Sequence, residues 1–186
     1  MRLALELLPA DVDPKLVERF DRNLTVMDDL IGDALRFARG TSEVAREVDL
    51  RAYLDDIVAS IDESVEVQWR GTGPVRRSVA VGALRRVLQN LLANARQHGA
   101  GLPEIVVESQ QAVQIHVFDR GPGIPAANRE AVFQPFFRLD RSRSLSTGGS
   151  GLGLAIVQQL CQAHGWLIEI GDREGVGTDV VLTICR

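Results

Sequence analysis

Several things are scarce in this sequence, and each scarcity excludes a class of protein. There are only two cysteines, Cys161 and Cys185, and their spacing fits no metal or redox motif. Both lie in segments that read as buried helix and strand, so reduced core thiols are expected. Long apolar runs are missing as well. Stretches such as Leu91–Ala93 and Val180–Leu182 fall far short of a membrane span, and Met1-Arg2-Leu3 opens no secretory signal. Nor is there a basic excess: 21 Lys and Arg stand against 25 Asp and Glu, for a net charge of −4. That balance gives no reason to expect a nucleic-acid partner or contact with an anionic membrane surface. What remains is a 186-residue chain, 45% hydrophobic, able to bury one substantial core and at most a small appendage. A cytoplasmic setting is expected.

The first forty residues carry a helical pattern and few turn signals. Val17, Phe20, Leu24, Met27, Ile31, Ala34 and Ala38 step by three and four, the seam of a helix packed in a coiled coil or bundle. One helix is predicted from about Pro14 to Arg39, with Pro14 in its first turn and Gly40 at its end. Arg2 to Leu8 reads as the tail of an earlier helix, stopped at Pro9, so residues 1–40 form a partial helical hairpin. Such a stripe needs partner helices, and a homodimer through these helices is expected; packing on the main domain is the alternative. A polar linker is predicted over residues 41–48.

From residue 49 onward the period alternates. Leu50–Ile61 reads as helix and Val65–Trp69 as strand. Val81–His98 is a strongly amphipathic helix, and Ile105–Val107 and Val113–Phe118 form a strand pair. After a stretch rich in Gly, Pro, Ser and Arg from Gly121 to Gly149, a helix over Leu152–His164 leads into strands Trp166–Ile170 and Thr178–Cys185. Paired strands with helices between the pairs imply an α+β sandwich, helices on one face of a mixed sheet.

Three short motifs carry chemistry. Asn90 and Asn94 are four apart on the amphipathic helix and Gln97 is three further, so their side chains share a face. Neutral amide oxygens there could ligate Mg²⁺ together with phosphate oxygens and water, although capping or core hydrogen bonds explain most such pairs. Asp119-Arg120-Gly121-Pro122-Gly123-Ile124 follows a strand directly. Its carboxylate could accept from an exocyclic amine and Ile124 could hold a flat ring, as adenine requires; an ordinary Asp-Gly turn is the plainer reading. Gly148-Gly149-Ser150-Gly151-Leu152-Gly153 runs into a helix, where free N–H groups favour phosphate, without the Lys-Ser/Thr pair of a P-loop.

Taken in order, these motifs resemble the signature of bacterial two-component sensor histidine kinases. Asn90-Leu-Leu-Ala-Asn94 is similar to their N box, Asp119-Arg-Gly-Pro-Gly123 to the G1 box, Phe133-Gln-Pro-Phe-Phe-Arg138 to the F box, Gly149-Ser-Gly-Leu-Gly153 to the G2 box and Gly175-Val-Gly-Thr178 to the last glycine motif. The resemblance covers Leu50 to the C-terminus, the hairpin resembles their dimerisation module, and the wording around Phe133–Arg138 and Gly153–Gln158 is similar to osmolarity sensors of the EnvZ type. It implies a Bergerat (GHKL-type) fold binding ATP and Mg²⁺. Asp119 would read the adenine amine, and Gly121, Gly123, Ile124, Thr178, Gln97 and His98 are further candidates for contact with the nucleotide. Asn94, helped by Asn90, would hold the metal, and Ser150, Gly151, Leu152 and Gly153 would meet the phosphates. Pro125–Ser150 would form the ATP lid, and some 25 residues of little periodicity suit that role. Asn90 and Arg138 are the catalytic candidates; Arg141 and Arg143 either bring charge to the triphosphate or form a solvated basic loop.

Some features depart from the family pattern. Gln97 stands where the family has Lys or Arg, while Arg96 points roughly 100° away around the helix, so a phosphate contact at 97 is doubtful. His98 either stacks on adenine or is a last-turn residue before Gly99. The three histidines, His98, His116 and His164, all sit in the ATP-binding part. The chain is therefore expected to be a fragment of a longer inner-membrane sensor, this part being cytoplasmic, whose phosphate-accepting histidine lies elsewhere and whose partner is a response regulator. Autophosphorylation within the chain is not expected. A GHKL-type ATPase would need a carboxylate where Asn90 stands, to activate water. A degenerate nucleotide-binding dimerisation module is the other alternative.

Overall fold

The structure, a computed structural model, describes residues 43–139 and 150–185 and the helical position Gly32. The predicted hairpin, the tip of the predicted lid, Arg141 and Arg143 lie outside the described residues. In chain order the elements are strand β1 (Arg46–Asp49), helix α1 (Leu50–Ile61), strands β2 (Val67–Arg70) and β3 (Arg76–Val79), and helix α2 (Val81–His98). Strands β4 (Glu104–Ser109) and β5 (Val113–Phe118) follow, then two short 3₁₀ turns (Ala126–Asn128 and Ala131–Phe133), helix α3 (Gly153–His164), and strands β6 (Leu167–Asp172) and β7 (Thr178–Ile184).

The main sheet has the order β2-β4-β5-β7-β6, parallel only between β2 and β4, and is therefore mixed. Alternation decides which face is covered. Along β5, Val113, Ile115 and Val117 are buried while Gln114, His116 and Phe118 point to the other, more open face. Leu84, Leu88, Leu91 and Leu92 of α2, Leu54 and Ile57 of α1, and Ile156 and Leu160 of α3 are all buried to 2% exposure or less and close over that apolar face. Each such side chain contributes about 1.5–3 kcal/mol on leaving water. This is the expected α+β sandwich, and it fixes α2 and α3 beside one another over the central strands.

Three details differ from the sequence-based expectation. Arg46–Asp49, expected as the end of a polar linker, forms β1 and pairs antiparallel with β3, a strand that the periodicity did not indicate. Just upstream, the Glu43 carboxylate accepts from the Gly82 N–H (2.9 Å) and the Ala83 N–H (2.8 Å), capping α2, whose own N-cap residue Ala80 supplies no side-chain acceptor. Cys185, expected to be buried, is exposed just past the end of β7, whereas Cys161 is buried as expected and burial pushes its thiol up to about 12.

Candidate functional site

The centre of the site is the end of β5. Phe118 pairs with Asp179 at the start of β7, so the next residue, Asp119, emerges beside Thr178. The Asp119 N–H donates to the Thr178 carbonyl (3.0 Å), and Asp119 Oδ1 accepts from the Thr178 N–H (3.2 Å) and the Gly121 N–H (2.7 Å). A side-chain carboxylate thus continues the sheet ladder for one more rung. Asp119 is only 6% exposed, yet its partners hold a single oxygen edge, and a carboxylate offers about four lone-pair sites. The remaining capacity suits an exocyclic amine.

The loop after Asp119 crosses the end of α2 at very short range. A Cβ on Gly121 would lie 2.5 Å from the His98 carbonyl oxygen, so a side chain cannot be accommodated there without moving the backbone. His98 is itself exposed. Its pKa is lowered chiefly by desolvation and further by the positive charge of Arg138, with Asp119 opposing. The shift favours the neutral form of the ring. Arg138, Asp119 and His98 come from three separate segments and share one local field. Ile124 is half-buried beside them, and Gly123 turns the loop at φ +79°.

At the other end, Ser150, Gly151 and Leu152 lead into α3. The Ser150 hydroxyl accepts from the Leu152 N–H (3.2 Å), and the Leu152 carbonyl accepts the first helical bond, from Ile156 (2.9 Å). Leu152 is 2% exposed with its side chain in the core, so its main chain alone can meet a ligand. The Gly151 carbonyl accepts from the Phe136 N–H (2.9 Å), tying the start of α3 to a segment whose Phe136 has φ +65° and is 64% exposed. That is an uncommon backbone for a bulky residue, of the kind that persists where the surroundings impose it.

Asn90 sits between the two ends. Its Nδ2 donates to the Arg86 carbonyl one turn back (2.8 Å), and its Oδ1 lies 3.1 Å from where a Cβ on Gly153 would stand. The amide oxygen is thereby presented toward the start of α3. Asn94 is half-buried one turn further along α2, and Gln97 is exposed beyond it. Arg96 is turned to the other side, as its helical position requires, and is engaged with Asp62 and Ser64. Asn90 is thus brought to Gly153, and Asp119 to Gly121 and Thr178, the last 3% exposed and meeting Asp119 through its backbone, while Asn94 follows Asn90 one turn along α2.

Sequence reasoning missed the arginines behind this loop. Arg129 Nε donates to the Ile124 carbonyl (3.1 Å), and Arg173 Nη1 to the Asp119 carbonyl (3.4 Å) while its Nη2 holds Glu104 (2.7 Å). Arg173 and Glu104 are 69 residues apart, and nothing local marks either one.

Comparison with known proteins decides the family. Residues 80–186 match the family described as histidine kinase-, DNA gyrase B-, and HSP90-like ATPase. The chain belongs to that family. Among curated relatives, sensor histidine kinase GtrS of Pseudomonas aeruginosa is 34% identical over 190 residues, covering 100% of this chain and 38% of that protein. Full-length ShkA, solved in complex with AMPPNP, is 25% identical with a TM-score of 0.68 over 91% of this chain and 37% of that one. The histidine kinase domain of the E. coli osmosensor EnvZ is 29% identical with a TM-score of 0.58, covering 78% of this chain and 91% of that domain. The chain therefore corresponds to the ATP-binding catalytic domain of the sensor histidine kinases within this family, and it spans well under half the length of GtrS. Among the described residues no helix is long and apolar enough to cross a membrane.

Proposed function

We propose that this chain is the catalytic part of a two-component sensor histidine kinase, binding ATP with Mg²⁺ and transferring the γ-phosphoryl group to a histidine of the dimerisation module for relay to a response regulator. The observation that carries the proposal is Asp119, a buried carboxylate pinned on one oxygen by the Gly121 and Thr178 N–H groups and retaining capacity for an adenine amine. His98 and Ile124 would bound the base. The N–H groups at the start of α3 would meet phosphate oxygens, where the helix dipole favours negative charge.

Asn94, with Asn90, would hold magnesium. Among the described residues no group of three or more His, Cys, Asp or Glu side chains could hold an ion, so the amide oxygens would act together with phosphate oxygens. When bound, the metal supplies charge neutralisation across the phosphates. Arg138 would add positive charge from the segment after the second 3₁₀ turn. An amide at position 90 cannot take a proton from water, which favours transfer to a protein side chain over hydrolysis and sets aside the ATPase reading. Exposed Gln97 gives some support to a degenerate binding module, and a phosphotransfer assay separates the two. In the whole protein we place this part on the cytoplasmic side of an inner-membrane sensor that dimerises through its N-terminal helices.

The test is transfer of radiolabelled γ-phosphate from ATP, with Mg²⁺, to a separately supplied dimerisation segment bearing a histidine. Label on that segment that is acid-labile, base-stable and lost with Asn94→Ala supports the proposal. ATP binding without any transfer leaves the module reading as the better one.

A further inference from the structure

The loop from Asp119 to Ile124 is gripped at both ends by arginines. At its start, Arg173 donates to the Asp119 carbonyl (3.4 Å) and is anchored on Glu104 Oε2 (2.7 Å), with its guanidinium 5.3 Å from the centroid of the Phe118 ring. At its end, Arg129 Nε donates to the Ile124 carbonyl (3.1 Å) and its Nη2 holds Asp172 Oδ1. Both links run to the same place, because Asp172 and Arg173 are neighbours where β6 turns toward β7. Glu104 also holds Arg120, inside the loop, on its second oxygen (2.7 Å). The Arg173 side chain is 18% exposed and its Glu104 partner 32%, so that contact is partly shielded and charge-assisted, whereas Arg129, 26% exposed, reaches an exposed Asp172.

From this geometry we infer that Arg129 and Arg173 are positioning residues that set the nucleobase selectivity of the site, by holding the two ends of the base-reading loop in register with the β6–β7 turn. Selectivity for an amine-bearing base depends on where the Asp119 carboxylate stands relative to Ile124; Thr178 and Gly121 fix the Asp119 end, and the two anchored carbonyls tie both ends of the loop to the β6–β7 turn. Phosphate contacts at the start of α3 are built by other segments and do not depend on the brace. The inference rests on the adenine reading proposed for Asp119.

The test uses the full chain and its Arg129→Gln and Arg173→Gln variants, titrated calorimetrically with AMPPNP, GMPPNP and inorganic tripolyphosphate. Each variant is expected to weaken AMPPNP by about five- to tenfold, the scale of one ordinary hydrogen bond, and to lower the AMPPNP-to-GMPPNP preference by a similar factor. Tripolyphosphate binding should not change. Asp172→Asn, at an exposed side chain, loosens only the anchor of Arg129; it should move the preference in the same direction and keeps the test open if an arginine variant does not fold. Arg70→Gln, which breaks the remote Arg70–Glu108 pair, should leave the preference unchanged. An unchanged preference in all three brace variants, or equal weakening of tripolyphosphate, overturns the inference while the adenine site stands. A parent chain that binds no AMPPNP overturns the adenine reading and the brace with it.

Discussion

Gly177 offers a test in which the contact and the backbone can be separated. Its φ is +132°, and a Cβ there would fall 2.0 Å from the Asp119 carbonyl oxygen and 3.1 Å from Arg120 Cα. Gly175, two residues earlier in the same turn, has φ +96° with no heavy atom within 4 Å of the corresponding position. Alanine at Gly175 therefore meets backbone strain alone, about 1–2 kcal/mol. Alanine at Gly177 meets similar strain and adds an overpacked contact with main chain, about 1–3 kcal/mol more. Gly177→Ala should cost about 2–5 kcal/mol in urea unfolding. Because the collision falls on Asp119, it should also weaken AMPPNP binding, while Gly175→Ala leaves binding near that of the parent. If Gly177→Ala is no more costly than Gly175→Ala, in stability and in affinity alike, the packing of this turn against Asp119 is not what positions the carboxylate.

Other outcomes follow from single contacts. Glu43→Ala removes the acceptor for two N–H groups at the start of α2 and should cost about 0.5–1 kcal/mol, with faster amide exchange at Gly82 and Ala83 as the local readout. Hydrogen bonds from Arg173 and then Arg120 hold the Glu104 pKa below its ordinary 4.5, and a hydrogen bond from Ser64 does most to lower that of Asp62. Both groups add stability above their unfolded-state values and lose that contribution as pH falls through their folded-state values. The unfolding midpoint should therefore decline on the acid side, and Glu104→Gln should flatten that decline. Exposed Cys185 should react with a maleimide in the native protein at neutral pH, whereas Cys161, with its thiol pushed up to about 12, should react only after unfolding.

The parts of the fold legible in the sequence were those whose burial is local and periodic. Helix α2 runs from Val81 to His98 as expected, because its leucines recur on one face and Gly99 follows. Strands β5 and β7 were visible through alternation on a half-covered sheet. Strands β1 and β3 were not, because Arg46-Glu47-Val48-Asp49 and Arg76-Arg77-Ser78-Val79 are short, charged and largely exposed, and only their pairing makes them strands. Strand β2 begins at Val67 rather than Val65 because the Val65 N–H is used in a turn, donating to the Asp62 carbonyl. Trp166 stays outside β6 because its N–H closes α3 on the Cys161 carbonyl.

The site divides in the same way. Asn90, Asp119 and the glycines before α3 stood out as candidates through residue type and spacing. The Glu43 cap on α2 and the arginine brace behind the loop join residues 39 to 69 positions apart, or through carbonyl groups that carry no sequence signal. Only the folded chain brings them together.

The measurement that bears most directly on the central claim is calorimetric titration of the chain with AMPPNP, with and without Mg²⁺, beside Asp119→Asn. The expected result is Mg²⁺-strengthened binding by the parent that Asp119→Asn abolishes or weakens by about a hundredfold, as removing one of a site's few specific polar contacts does. Binding that is indifferent to Asp119, or no binding by the parent, would contradict the account.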